Sequence, residues 1–138
     1  MKKRTPVSKI MTSNPISVNL SHNLKDVTQI FRERNIHHIP VVSGKEVIGL
    51  ISKTDIERIS VVNKMETGDL RTTVYDHLTI DQVMTKDVET VNESDLVKDA
   101  AEILARGQFH ALPVLRNEEL TGIVTSTDMI NHLLEVYN

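Results

Sequence analysis

The sequence predicts an α+β fold made of two tandem copies of one β-α-β-β-α unit, packed with pseudo-two-fold symmetry. The first observation behind this is an internal repeat. Residues 7–60 lie over residues 80–133 at a constant offset of 73, with no gap. Of the 54 aligned pairs 15 are identical, among them Met11/Met84, Thr12/Thr85, Val18/Val91, His37/His110, Pro40/Pro113, Gly49/Gly122, Thr54/Thr127 and Asp55/Asp128. The second observation is that the apolar period changes inside each copy, from strand-like to helical and back. The third is the copy number. Two repeats are too few for a solenoid, which needs about three, so the copies are expected to close on each other as a pair.

Taken in order, Ile16–Asn19 and Glu89–Asn92 read as short strands rich in β-branched residues. Ser21 and Ser94 are the expected helix N-caps, and each is followed by an apolar stripe at helical spacing. In the first copy the stripe is Leu24, Val27, Ile30 and Phe31; in the second it is Val97, Ala100, Ala101 and Leu104. Asn35 and Gly107 are expected to end these helices. Ile39–Val42 and Leu112–Leu115 follow as strands whose prolines, Pro40 and Pro113, belong at a strand start or edge. Ser43–Glu46 and Arg116–Glu119 have turn composition, so each strand should hairpin into the next, Val47–Ile51 or Leu120–Val124. A second helix then opens at Thr54-Asp55 and at Thr127-Asp128. The expected organisation is one motif over 7–60, a linker over 61–79 with a loop at Met65–Asp69, and a second motif over 80–135.

Composition narrows the function. The 138 residues carry a net charge of −3, without the basic face that nucleic-acid binding uses, and only 3% are aromatic, leaving few platforms for stacking single-stranded bases. There is no cysteine, which removes disulfides, thiolate metal sites and cysteine nucleophiles. No apolar run reaches the ~18 residues of a membrane span, so a soluble, cytoplasmic protein with no membrane partner is expected. The Lys2-Lys3-Arg4 cluster reads as a solvated, frayed terminus. No phosphate-binding glycine loop, nucleophile elbow or His-Glu metal motif appears, so no catalytic residue is assigned and an enzyme is not expected. His37 and His38 are adjacent on a strand and face opposite sides, which is poor geometry for joint metal ligation; no metal site is expected there.

The candidate functional stretch is the one stated twice, Gly49-Leu50-Ile51-Ser52-Lys53-Thr54-Asp55 and Gly122-Ile123-Val124-Thr125-Ser126-Thr127-Asp128. Each copy runs from a buried strand into a helix N-terminus, whose unpaired N–H groups and positive dipole end suit an anion such as phosphate. The hydroxyls and the carboxylate add a rim able to hydrogen-bond a sugar diol. Ser52-x-x-Asp55 and Thr125-x-x-Asp128 also have the spacing of a helix capping box. A cap needs no ligand, and the two roles are compatible.

Three motifs recur in order in both copies. Lys9-Ile10-Met11-Thr12 and Gln82-Val83-Met84-Thr85 open the units. His37-His38-Ile39-Pro40-Val41-Val42 and His110-Ala111-Leu112-Pro113-Val114-Leu115 stand in the middle, and the Gly-x-x-Ser/Thr-x-Thr-Asp stretch closes each. Together they resemble the CBS domain, and the chain over about residues 7–135 is similar to one tandem CBS pair, a Bateman module. The resemblance implies two clefts between the units that take adenosine-containing ligands: AMP, ADP, ATP, S-adenosylmethionine or NAD. It implies that the Asp holds the ribose hydroxyls and the Ser/Thr holds phosphate or ribose, with adenine against the other unit. The first cleft would use Ser52, Thr54 and Asp55, with Val88, Glu89, Phe109 and Ala111 opposite. The second would use Thr125, Thr127 and Asp128, with Pro15, Ile16, Ile36 and His38 opposite. Glu89 and Asp55 make the first more acidic, so the second is expected to be the better nucleotide site. The resemblance further implies a homodimer and a regulatory role, with output through an effector protein. The alternatives are a ligand-free interaction or dimerisation module and, less favoured, a binder of single-stranded nucleic acid.

Overall fold

The computed structural model describes residues 4–59 and 77–137. The predicted loop at Met65–Asp69, and residues 61–76 of the expected linker over 61–79, lie outside these residues. The described residues form two compact units, one from 4–15, 45–47 and 88–137, the other from 16–44, 48–59 and 77–87. The units therefore cut across the repeats. The residues that open each copy pack with the sheet of the other.

The first unit holds a four-stranded sheet in the order β1-β6-β5-β4. Its strands are β1 (Thr12–Ser13), β4 (Val91–Asn92), β5 (Ala111–Arg116) and β6 (Glu119–Thr125). β5 and β6 form an antiparallel hairpin whose turn residues, Asn117 and Glu118, both adopt positive φ, at 51° and 66°. Two such residues match the hairpin turn to the right-handed twist of its strands. β4 runs parallel to β5, and β1 antiparallel to β6 with Thr12 opposite Ile123. The helices are α4 (Val97–Ala105) and α5 (Ser126–Val136). Val7, Val91, Ala100, Leu104, Leu112, Val114 and Val124 make the core, with Met11, Phe109 and Met129 packed against it.

The second unit contains α1 (Leu24–Glu33), β2 (His38–Ser43), β3 (Glu46–Ser52, whose first two residues group with the other unit), α2 (53–59) and the short α3 (Ile80–Val83). β2 and β3 pair, and a single bridge extends each side: Val18 parallel to Val41, and Thr85 antiparallel to Leu50. Leu24, Val27, Phe31, Ile39, Val41, Ile51, Ile56, Ile80 and Met84 are among its buried core. The stripe read on α1 is the buried face.

Four expectations need correction. The strand read at Ile16–Asn19 is reduced to the Val18 bridge, and that at Glu89–Asn92 to Val91–Asn92. Asn19 N–H donates to His22 Nδ1, which takes it out of the ladder, and Asn92 N–H donates to Asp95 Oδ2, so β4 turns into the next helix just past its pairing with Leu115. The serines are not caps, because Ser21 and Ser94 each donate back to the Oδ1 of Asn19 or Asn92. α1 is capped two residues later by a reciprocal Asn23/Asp26 box, and in α4 Asp99 accepts the Leu96 N–H at 3.1 Å. Pro40 and Pro113 sit third in β2 and β5, and β5 is an inner strand. They are tolerated because the parallel neighbour is so short. Val18 N–H donates to Pro40 O at 3.1 Å, so the nitrogen of Pro40 points to the same side, beyond the first paired residue. Finally, the closing helices open one residue earlier than read, after Ser52 and Thr125. Of the two expected helix ends, Gly107 holds, with φ 80°, while α1 closes through an extended Arg34 ahead of Asn35.

Candidate functional site

Each closing motif is a hairpin strand that runs straight into a helix. Thr125 N–H donates to Asp128 Oδ2 at 2.8 Å, and Asp128 N–H donates to Thr125 Oγ1 at 3.2 Å. Ser52 and Asp55 repeat this at 3.2 and 3.1 Å. Both motifs are thus reciprocal capping boxes, which satisfy two helix-end donors and fix the carboxylate rotamer. In each, one carboxylate oxygen is spent on the cap and the other remains for a second partner. Thr54 and Thr127 are exposed, while Ser52, Asp55, Thr125 and Asp128 are half-buried.

The two aspartates differ in surroundings. Arg58 Nη1 lies 3.7 Å from Asp55 Oδ1, whereas Asp128 has no ion-pair partner among the described residues. The position equivalent to Arg58 is Asn131, so the repeat itself breaks there. Glu89, which made the first site acidic in the sequence, pairs with Arg106 at 3.7 Å.

Each proposed set is divided between the compact units. Ser52, Thr54 and Asp55 belong to one, and Val88, Glu89, Phe109 and Ala111 to the other. Thr125, Thr127, Asp128 and Pro15 share a unit, while Ile16, Ile36 and His38 belong to its counterpart. What the structure brings together within a unit is the start of one hairpin strand and the end of the other. Ala111 stands opposite Thr125, and Ser126 N–H donates to His110 O at 3.0 Å. Likewise Lys53 N–H donates to His37 O at 2.8 Å. Val88, Glu89, Phe109, Pro15, Ile16, Ile36 and His38 are half-buried, but Ala111 is fully buried against its ladder partner Thr125 and presents no surface to a ligand within its unit.

Two features escaped the sequence reading. Each unit packs the repeat glycine against the repeat methionine of the opposite copy: a Cβ on Gly122 would collide with Met11 Sδ, and one on Gly49 with Met84 Sδ. The identities Gly49/Gly122 and Met11/Met84 signalled a constraint, but not that it crosses copies. The other is an open cleft of about 690 Å³ in the first unit, lined by Arg4, Thr5, Pro6, Lys9, Ile10, His132 and Glu135. Arg4, assigned to a frayed terminus, is one of its walls. The usable signal was divergence. At the same offset of 73, Arg4, Lys9, His132 and Glu135 correspond to His77, Gln82, Ile59 and Val62. Among the described residues no group of His, Asp or Glu could hold a metal ion, and no helix is long and apolar enough to cross a membrane.

The class of protein so defined is one built on a strand-hairpin-helix unit stated twice, each copy closed by a Ser/Thr-Asp helix cap. Residues 7–62 and 80–135 match the CBS domain family, and the chain belongs to that family. Protein MJ1225 of Methanocaldococcus jannaschii is 30% identical over 129 residues, 93% of this chain. Its crystal structure superposes with a TM-score of 0.79, covering 96% of this chain and 49% of that one. The CBS domain pair of protein MJ0100, solved with 5′-methylthioadenosine and S-adenosyl-L-methionine, is 26% identical with a TM-score of 0.78, covering 97% of this chain and 98% of that one. CBSX2, solved in complex with AMP, shares the fold with a TM-score of 0.78 at 22% identity, covering 97% and 99%. The chain spans 42% of MJ1225 and 22% of a homoserine O-acetyltransferase of Methanocorpusculum labreanum that it also matches.

Proposed function

We propose that this CBS pair is a regulatory module that binds an adenine nucleotide or related adenosyl ligand, with the Thr125–Asp128 cap as its principal site. The observation that carries this is the unpaired second oxygen of Asp128 beside an exposed Thr127, at a helix N-terminus. The carboxylate accepts from a diol, and the hydroxyl and helix N–H groups receive the charged end. Ser52, Thr54 and Asp55 form the secondary site, weakened because Arg58 already neutralises Asp55. AMP in CBSX2 and the adenosyl ligands of the MJ0100 pair support this chemistry. The role is binding and not catalysis, the output passing through a homodimer or an effector protein.

The test is a thermal-shift titration with AMP, ADP, ATP, S-adenosylmethionine and NAD, beside Asp55→Ala and Asp128→Ala. A ligand at 100 times its dissociation constant adds ~2.7 kcal/mol, on the order of 10 °C for a domain of this size. The shift is expected to vanish in Asp128→Ala and persist in Asp55→Ala. The reverse pattern overturns the ranking. No shift with any ligand favours a ligand-free interaction module.

A further inference from the structure

Both copies carry the same methionine-on-glycine contact, but they expose it unequally. Met11 packs on Gly122 in the first unit, and Met84 packs on Gly49 in the second. Met84 is buried, with 8% of its surface exposed, whereas Met11 is half-buried. A thioether within reach of solvent is open to oxidation, and one sealed in a core is shielded from it. The two contacts are alike in geometry and differ in their chemistry toward an oxidant.

The seat of Met11 has no spare room. A Cβ on Gly122 would collide with Met11 Sδ, and would lie 3.0 Å from both Met11 Cγ and the Thr12 carbonyl oxygen. The sulfur therefore rests on the glycine backbone, and the polar atom beside it is an acceptor. An oxygen on Sδ would set a second acceptor near that carbonyl. It would also carry a polar group into the apolar packing of Ile10, Met11 and Met129 against the unit's core.

What this contact holds down is the end of the opening segment, because its start is anchored separately. Val7 is fully buried, Val7 N–H donates to Asp95 O at 2.7 Å, and Ser8 N–H donates to Glu93 O at 3.1 Å. Beyond Met11 the hold is light. β1 is two exposed residues paired to Ile123 and Gly122, followed by one bond from Asn14 N–H to Thr121 O at 3.1 Å. We propose that Met11 is an oxidation site and the latch of this segment: a peroxide converts its thioether to the sulfoxide, which lifts β1 from β6 while Val7 stays anchored. The sulfur lone pair attacks one peroxide oxygen, the S–O bond forms as the O–O bond breaks, and the departing hydroxide takes the remaining proton to leave as water. Sulfur loses the two electrons that the peroxide gains, and a thiol-dependent methionine sulfoxide reductase reverses the step. The switch acts on the first unit alone, and it holds whether or not the helix caps take a ligand.

The experiment is graded hydrogen peroxide treatment of the full chain and of its Met11→Leu and Met129→Leu variants. Peptide mass spectrometry reads the oxygen gained at each methionine, and hydrogen exchange reads backbone protection over residues 10–15. Leu keeps the apolar volume at residue 11 and cannot be oxidised, and Met129→Leu removes the other half-buried methionine of this core. In the wild type Met11 is expected to gain its oxygen well before Met84. Protection over 10–15 should fall in step, with a thermal midpoint lower by about 5 °C, and the reductase should restore both. Met129→Leu should respond as the wild type does, while Met11→Leu should keep its protection and its midpoint. The proposal is overturned if Met84 is oxidised as fast as Met11, if Met11 sulfoxide forms with protection intact, or if Met11→Leu loses protection under peroxide as the wild type does. Should Met11→Leu fail to fold, the order of oxidation and the match between oxygen gain at Met11 and lost protection in Met129→Leu still decide it.

Discussion

At Asp128 a structural and a ligand-binding role share one carboxylate, and a substitution can separate them. Asn offers one acceptor oxygen, enough to take the Thr125 N–H that Asp128 Oδ2 now accepts. It has no second acceptor for a diol. Asp128→Asn is therefore expected to lose only the charge–dipole part of the cap, about 0.3–1 kcal/mol, while weakening nucleotide binding roughly tenfold or more. Thr125→Ala does the opposite to the fold, removing the hydroxyl that caps Asp128 N–H at a cost of about 1 kcal/mol. Urea denaturation and calorimetry on the two variants check this. Equal loss of stability and binding in both would make Asp128 a cap and nothing more.

At the scale of the element, the hairpins and helix stripes were legible because their signals are local. Leu24, Val27 and Phe31 are buried at the spacing that announced them, and the turns fall at Gly44 and Asn117-Glu118 as composition implied. The caps were misplaced because Asn19 and Asn92 capture the serines first, a competition between side chains that spacing does not rank. What no local pattern could reveal is the exchange of opening segments, visible only once Met11 lies on Gly122 and Met84 on Gly49. The exchange is testable. A Cβ at residue 122 meets Met11 Sδ and comes within 3.0 Å of the Thr12 carbonyl oxygen, so Gly122→Ala should cost about 1–3 kcal/mol. The double variant Met11→Ala/Gly122→Ala should be less destabilised than the sum of the single changes, because the smaller side chain vacates the space. Strict additivity in the denaturation cycle would separate the two residues.

At the scale of the whole molecule, the described residues include an apolar stripe on α5 that its unit's core does not use. Ile130, Leu133 and Leu134 of α5 and Tyr137 at its C-cap are each more than half exposed and stand at i, i+3, i+4 and i+7. This stripe lies away from Asp128, so covering it leaves the proposed ligand face open. A second copy of the chain is the expected cover. A stable interface buries about 800 Å² per partner, so these four side chains would be the apolar centre of a larger contact. Light scattering at micromolar concentration should then give twice the 15.6 kDa of one chain. Leu133→Glu/Leu134→Glu should give the single mass with helix content unchanged, since Glu is a good helix former. A monomeric wild type would remove this dimer. If the ligand is a regulator, its binding and dimerisation must be reciprocally linked: the factor by which nucleotide shifts the dimer constant equals the factor by which dimerisation shifts nucleotide affinity. Nucleotide titrations of the monomeric variant and the dimer measure that factor. A factor of one would mean that the ligand face and the α5 stripe act independently, and regulation would then pass through a partner that reads the ligand face directly.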